Sequence, residues 1–88
     1  MKINLAKKTD QRKIQKFIES YEPGHSKKRF KCIMGSHRGF SVYEVDPEGT
    51  QSPTLAHMDH MFAICKIYNL GFMIAVNIGS NTPHYYVY

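Results

Sequence analysis

The chain has 88 residues, 42% of them apolar and 22% charged, and a net charge of +5. That length makes one domain, residues 1–88, with an adequate rather than a generous core, and the composition argues against extensive disorder. No apolar run reaches the roughly 18 residues of a membrane span, and Met1-Lys2-Ile3-Asn4-Leu5 lacks the apolar centre of a secretory leader, so the expectation is a cytoplasmic protein, in the host cytoplasm if viral, with no membrane partner.

Ile3 and Leu5 alternate with Lys2 and Asn4, which predicts a short opening strand. Thr9 or Asp10 can cap a helix reaching Tyr21, because Ile14, Phe17, Ile18 and Tyr21 recur at helical spacing and form one apolar stripe. Arg12, Lys13 and Lys16 fall on the opposite arc and give the helix a positive outer face. Pro23-Gly24 ends it. From Arg29 to Met34 alternation predicts a strand with Phe30, Cys32 and Met34 on one side and Arg29, Lys31 and Ile33 on the other. Phe40 to Val45 predicts a second, joined to the first by the glycine-bearing loop 35–39. Asp46-Pro47-Glu48-Gly49 reads as a turn.

Ser52 and Pro53 mark the start of a long helix, with Gly71 supplying a left-handed residue past its end. Leu55, Met58, Met61, Phe62, Cys65 and Tyr68 define its expected core face. His57, His60, Ile64 and Ile67 form a second seam, to be covered by the first helix, by a second copy or by a partner. Phe72 to Ile78 is rich in β-branched and aromatic residues and predicts a central strand with one face buried. After a loop at 79–83, His84 to Val87 with its final tyrosine predicts a last strand, and Tyr85, Tyr86 and Tyr88 are candidate contacts or sheet cover.

This order implies an α+β two-layer sandwich, an antiparallel sheet with two helices on one face. It is either the ferredoxin-like βαββαβ arrangement with an added strand or, without the opening strand, αββαββ. Arg38-Gly39-Phe40-Ser41-Val42-Tyr43-Glu44-Val45 resembles the third-strand signature of RNA-recognition motifs at Arg38, Gly39 and Phe40. Val42 stands where that family places a base-stacking aromatic. Independently of that likeness, the basic hairpin tip with Phe40 beside it is expected to stack on a base while Lys27, Lys28, Arg29, Lys31 and Arg38 meet phosphates.

Charge is divided unevenly along the chain: eleven Lys and Arg against three acids through Gly39, then Lys66 against four acids. The front half, through Arg12, Lys13, Lys16, Lys27, Lys28, Arg29, Lys31 and Arg38, is therefore the candidate surface for nucleic acid or an acidic protein. Metal chemistry has little to build on. His57 and His60 are two potential ligands where zinc needs three or four, and no CxxC or HExxH accompanies them. Cys32 and Cys65 lie in apolar patterns and read as buried hydrophobes rather than a disulfide or a nucleophile. No metal site and no cofactor are expected.

The functional expectation is a small non-enzymatic binding protein, of the type with which phages and mobile elements antagonise host defence. It would dock on a host nucleic-acid-processing protein or ribonucleoprotein. RNA or single-stranded DNA binding is the alternative, and a minimal nuclease or metal-dependent enzyme the third reading. Monomer and homodimer both remain open.

Overall fold

In a computed structural model that describes residues 3–22, 27–34, 38–76, 79 and 82–88, the elements run α1 (Lys8–Ser20), β1 (Arg29–Met34), β2 (Phe40–Val45), α2 (Met58–Ile67), β3 (Phe72–Val76) and β4 (Pro83–Val87). The class is α+β, with an antiparallel sheet ordered β1-β2-β4-β3. The expected opening strand does not form over residues 3–5. Asn4 donates its N–H to the Asp10 carboxylate at 2.9 Å and accepts the Ala6 N–H on its own side chain at 3.0 Å. Those polar groups serve a turn leading into α1 instead of a sheet ladder, and the elements follow the αββαββ order.

The apolar stripe of α1 behaves as its spacing requires. Ile14 and Ile18 are fully buried, Phe17 and Tyr21 are half-buried against the core, and Arg12, Lys13 and Lys16 are exposed. Asp10 does not cap the helix; it lies in the first turn, where a negative charge suits the helix dipole, and Lys7 takes the cap position. The first hairpin pairs Phe30 with Glu44, Cys32 with Val42 and Met34 with Phe40. These residues share the inner face, and β4 adds Tyr85 and Val87 to it through pairing with Val42 and Phe40. Ile14, Ile18, Met61, Ile64 and Cys65 complete the same core, so both helices cover one face of the sheet.

The second helix is shorter than its caps predicted. Ser52 is buried and tied down locally: its N–H donates to the Glu44 carbonyl at 2.7 Å, and its hydroxyl donates to the Thr54 carbonyl and accepts from Lys28 Nζ. The chain then passes beneath Glu44, whose carboxylate accepts the N–H groups of Ala56 at 2.8 Å and His57 at 3.0 Å. Helical geometry begins only at Met58. The buried face is also rotated from the expected one, since Met61, Ile64 and Cys65 point inward while Met58 and Phe62 are exposed. At the other end the left-handed residue is Asn69, with φ 56°, and not Gly71. Leu70 N–H donates to Cys65 O and Asn69 N–H to Lys66 O, the double closure in which asparagine substitutes for glycine.

Gly71 has a different role. It exchanges both backbone hydrogen bonds with Tyr88, extending the β3–β4 ladder, and a Cβ there would lie 2.8 Å from the Tyr88 ring. The strand that follows is not central: β3 occupies a sheet edge, and Met73, Ile74 and Val76 are all exposed. The pairs β1–β2 and β2–β4 make the buried centre instead. Asn77 and Ile78, expected to end this strand, lie outside the described residues, as do His25 and residues 35–37 of the expected hairpin tip.

Candidate functional site

The sheet has one face without helices, and the strand registers say which side chains occupy it. Alternation places Arg29, Lys31 and Ile33 of β1 there, Ser41, Tyr43 and Val45 of β2, His84 and Tyr86 of β4, and Met73 and Ala75 of β3. No acid stands among these strand positions. Tyr43 and His84 are buried and stacked on each other, ring centroids 4.7 Å apart and planes 25° from parallel. Further along, Tyr86 and Tyr88 stack at 6.4 Å and 29°. Tyr86 lies across Gly39, where any Cβ would overlap the phenol. Ile33, Met73 and Tyr88 are each about half exposed, and Lys31 is exposed. The result is an amphipathic platform of stacked rings and apolar side chains with cations along its β1 margin.

The sequence-derived cations do not all share that platform. Lys13 and Lys16 border a depression with Ile3, Phe17 and Tyr68 on the helix layer. Arg12 is exposed on α1. Lys27 and Arg29 border another depression with Glu22 and Asp46, and Arg29 pairs with Glu22 at 3.1 Å. Arg38 stands in a third, with Lys7, Asp10 and Tyr88. Lys28 is half-buried and donates to the Ser52 hydroxyl at 2.9 Å. Of the eight, Arg29 and Lys31 are placed on the helix-free face. Phe40 is on the inner face and 2% exposed, so its ring is not available to stack on a base.

The seam on α2 is largely internal. His57 lies edge-on to Phe30, and His60 Nδ1 shares a 2.9 Å hydrogen bond with the Tyr21 hydroxyl. Tyr21, the residue that follows α1, thus covers His60, while Phe30 of β1 covers His57. Ile64 is buried in the core and only Ile67 stays exposed. Tyr85 is likewise interior, so Ile64 and Tyr85 are packing residues; Tyr86 and Tyr88 remain at the surface. Among the described residues no three His, Cys, Asp or Glu side chains gather where they could hold a metal ion. Both cysteines are free and buried. Burial pushes the Cys65 thiol up to about 11, and burial together with the Glu19 charge raises Cys32 further, so neither is a ready nucleophile.

Sequence reasoning missed two features. The pairing of Tyr86 over Gly39 was hidden because it joins separate hairpins, although a glycine beside a strand start hints at a close approach. The exposed apolar ridge of Met58 and Phe62 was assigned to the core because helical spacing alone does not say which of two adjacent stripes faces the sheet. No known protein family matches the chain, and neither curated proteins nor solved structures provide a match. No helix among the described residues is long and apolar enough to cross a membrane.

Proposed function

We propose that this chain is a small non-enzymatic binding protein, an antagonist of the kind phages and mobile elements direct against host defence, in the manner of an anti-CRISPR. It docks through the helix-free face of its sheet on a host nucleic-acid-processing protein. The observation that carries this reading is the make-up of that face. Ile33, Met73, Tyr86 and Tyr88 supply apolar and aromatic contact area at low entropic cost, and Lys31 borders it with no acid among the strand positions of that face, beside Arg29, which is paired with Glu22. Such a surface complements an acidic protein groove that normally receives nucleic acid. The experiment is capture of host proteins by tagged wild-type protein and by Lys31→Glu, before and after nuclease treatment. A nuclease-resistant partner lost with Lys31→Glu supports the reading; identical capture by the two proteins overturns it.

The stacked Tyr86–Tyr88 pair favours a second reading, direct binding of RNA or single-stranded DNA, since exposed tyrosines stack on bases irrespective of sequence. Here capture disappears with nuclease, and affinity for an oligonucleotide falls steeply as salt rises.

A further inference from the structure

The outer arc of α1 carries positive charge and little else. At about 100° per residue, Ile14 and Ile18 mark the core side of the helix, and Thr9, Arg12, Lys13 and Lys16 fall on the opposite side, all four exposed. Arg12 and Lys16 stand about 6 Å apart along the axis, and Lys8, also exposed, continues their row by one more turn. The acids of the helix are engaged elsewhere. Asp10 accepts the Asn4 N–H at 2.9 Å, and Glu19 accepts the Cys32 N–H of β1 at 2.9 Å and a Gln15 amide hydrogen bond at 3.4 Å. Among the described residues, none of Lys8, Arg12, Lys13 and Lys16 takes part in an ion pair.

We infer that this arc is a contact surface for the phosphate backbone of double-stranded nucleic acid, separate from the helix-free face of the sheet and independent of the reading given for that face. The ligand follows from what accompanies the charge. No residue of α1 is among the large exposed apolar side chains, which stand on β1, α2, β3 and at Tyr88. A protein interface needs an apolar centre, and a helix seated on a membrane needs its apolar side for lipid. In α1 that side is buried in the core through Ile14 and Ile18. A single strand is held by stacking on aromatic rings as well as by charge, and the aromatic rings here turn inward: Phe17 is half-buried and edge-on to Tyr68 at 5.2 Å, and Tyr21 packs on Phe30 and His60. A duplex, with its bases stacked inside and its phosphates outside, is bound by charge alone. Arg12 can meet a phosphate through two N–H groups, the lysines act as point charges, and the Thr9 hydroxyl adds a neutral donor.

The other cations form no equivalent row. Arg29 is paired with Glu22, Lys28 donates to Ser52, and Lys27 borders a depression that also holds Glu22 and Asp46. Arg38 shares its depression with Asp10. The positive field is therefore strongest where α1 faces outward. Both helices cover the same face of the sheet, so this arc and the helix-free face lie on opposite sides of the molecule, and a protein docked on the sheet leaves α1 open. Four cations neutralising three or four phosphates set the slope of log affinity against log salt between about −3 and −4, roughly a hundredfold loss of affinity between about 50 and 200 mM salt.

The test is the affinity of the full chain for a duplex DNA of arbitrary sequence, read by fluorescence anisotropy over a salt series starting at about 50 mM. Wild-type protein is expected to show the steep slope. Arg12→Gln with Lys13→Gln and Lys16→Gln removes three charges from exposed positions and is expected to reduce the slope by about 3 and the affinity by at least about tenfold, with unchanged circular dichroism. Lys27→Gln with Lys31→Gln and Lys66→Gln removes the same net charge from other exposed positions and is expected to bind as wild type does. Lys13→Arg with Lys16→Arg keeps the charge and is expected to keep the binding, which guards against a structural effect of the first variant. Absence of duplex binding at the lowest salt overturns the inference. Equal losses from the two triple variants overturn it too, because net charge alone would then explain the binding. So does tighter binding to a single strand of the same length, or binding to phosphatidylserine vesicles without binding to the duplex. Loss of host-protein capture in the sheet-face variants, with duplex affinity intact, bears on the other reading alone.

Discussion

Tyr85 donates its hydroxyl hydrogen bond to the carboxylate of Glu44 inside the core, and that same carboxylate accepts the Ala56 and His57 N–H groups that precede α2. One acid on β2 thus joins a neighbouring strand to the start of a helix whose own cap position, His57, makes no side-chain cap. Replacing it by alanine leaves a buried hydroxyl and two backbone donors unsatisfied. The expected cost of Glu44→Ala is about 3–5 kcal/mol, and that of Tyr85→Phe about 1–2 kcal/mol. Urea unfolding measures both. A Glu44→Ala protein as stable as wild type would show that α2 is anchored elsewhere.

Alkaline pH should weaken the fold through the buried acids that remain protonated. Cys65 is raised by burial from 9.0 to about 11. Tyr85 is raised by burial first and then by its hydrogen bond to Glu44. The folded state holds these protons more tightly than the unfolded chain does, so the stability they supply is complete below their ordinary values and falls as pH rises. For Cys65 the window runs from 9.0 to about 11, with a slope near 1.4 kcal/mol per pH unit for each such group. Urea midpoints at about pH 8 and about pH 10.5 should differ, and Cys65→Ala should reduce the difference. Thiol reagents should likewise leave Cys32 and Cys65 unmodified near neutrality until the protein unfolds.

Asn69 closes α2 with φ 56°, a region that costs most side chains roughly 1–2 kcal/mol and glycine nothing. Asn69→Gly should therefore be neutral or slightly stabilising, and Asn69→Val destabilising by about 1–2 kcal/mol. Thermal melts of the two variants check the order. The reverse ranking would mean that the helix ends differently in solution.

Tyr86 occupies the space over Gly39, so Gly39→Ala forces the phenol aside. The single variant should lose about 1–3 kcal/mol, and most of that loss should vanish in the Tyr86→Ala background, because the two substitutions relieve the same overlap. Additive effects would separate the two residues.

How far the sequence revealed this architecture differs by element. The first hairpin was legible to the residue, because Phe30, Cys32 and Met34 alternate with Arg29, Lys31 and Ile33, and Val42 and Phe40 repeat the pattern opposite them. The stripe of α1 was equally clear. By contrast, Ser52 and Pro53 carry every local mark of a helix start, yet Glu44 and Lys28, distant in sequence, hold that segment out of helical geometry. The position of β3 was misjudged for a related reason. A continuous apolar run describes a central strand and an unguarded edge equally well, and only the sheet order distinguishes them. At the site, charge along the chain did not disclose charge in space: Lys13 and Lys31 belong to the same basic half but stand on the helix layer and on the helix-free face respectively.

That separation allows the binding face to be tested directly. Capture of the host partner should be compared for wild type, Lys31→Glu with Tyr88→Ala on the sheet face, and Lys13→Glu with Lys16→Glu on the helix layer, all three checked for equal stability. The account predicts at least about a tenfold loss of capture for the sheet-face pair and near wild-type capture for the helix-layer pair. Loss confined to the helix-layer pair would contradict it.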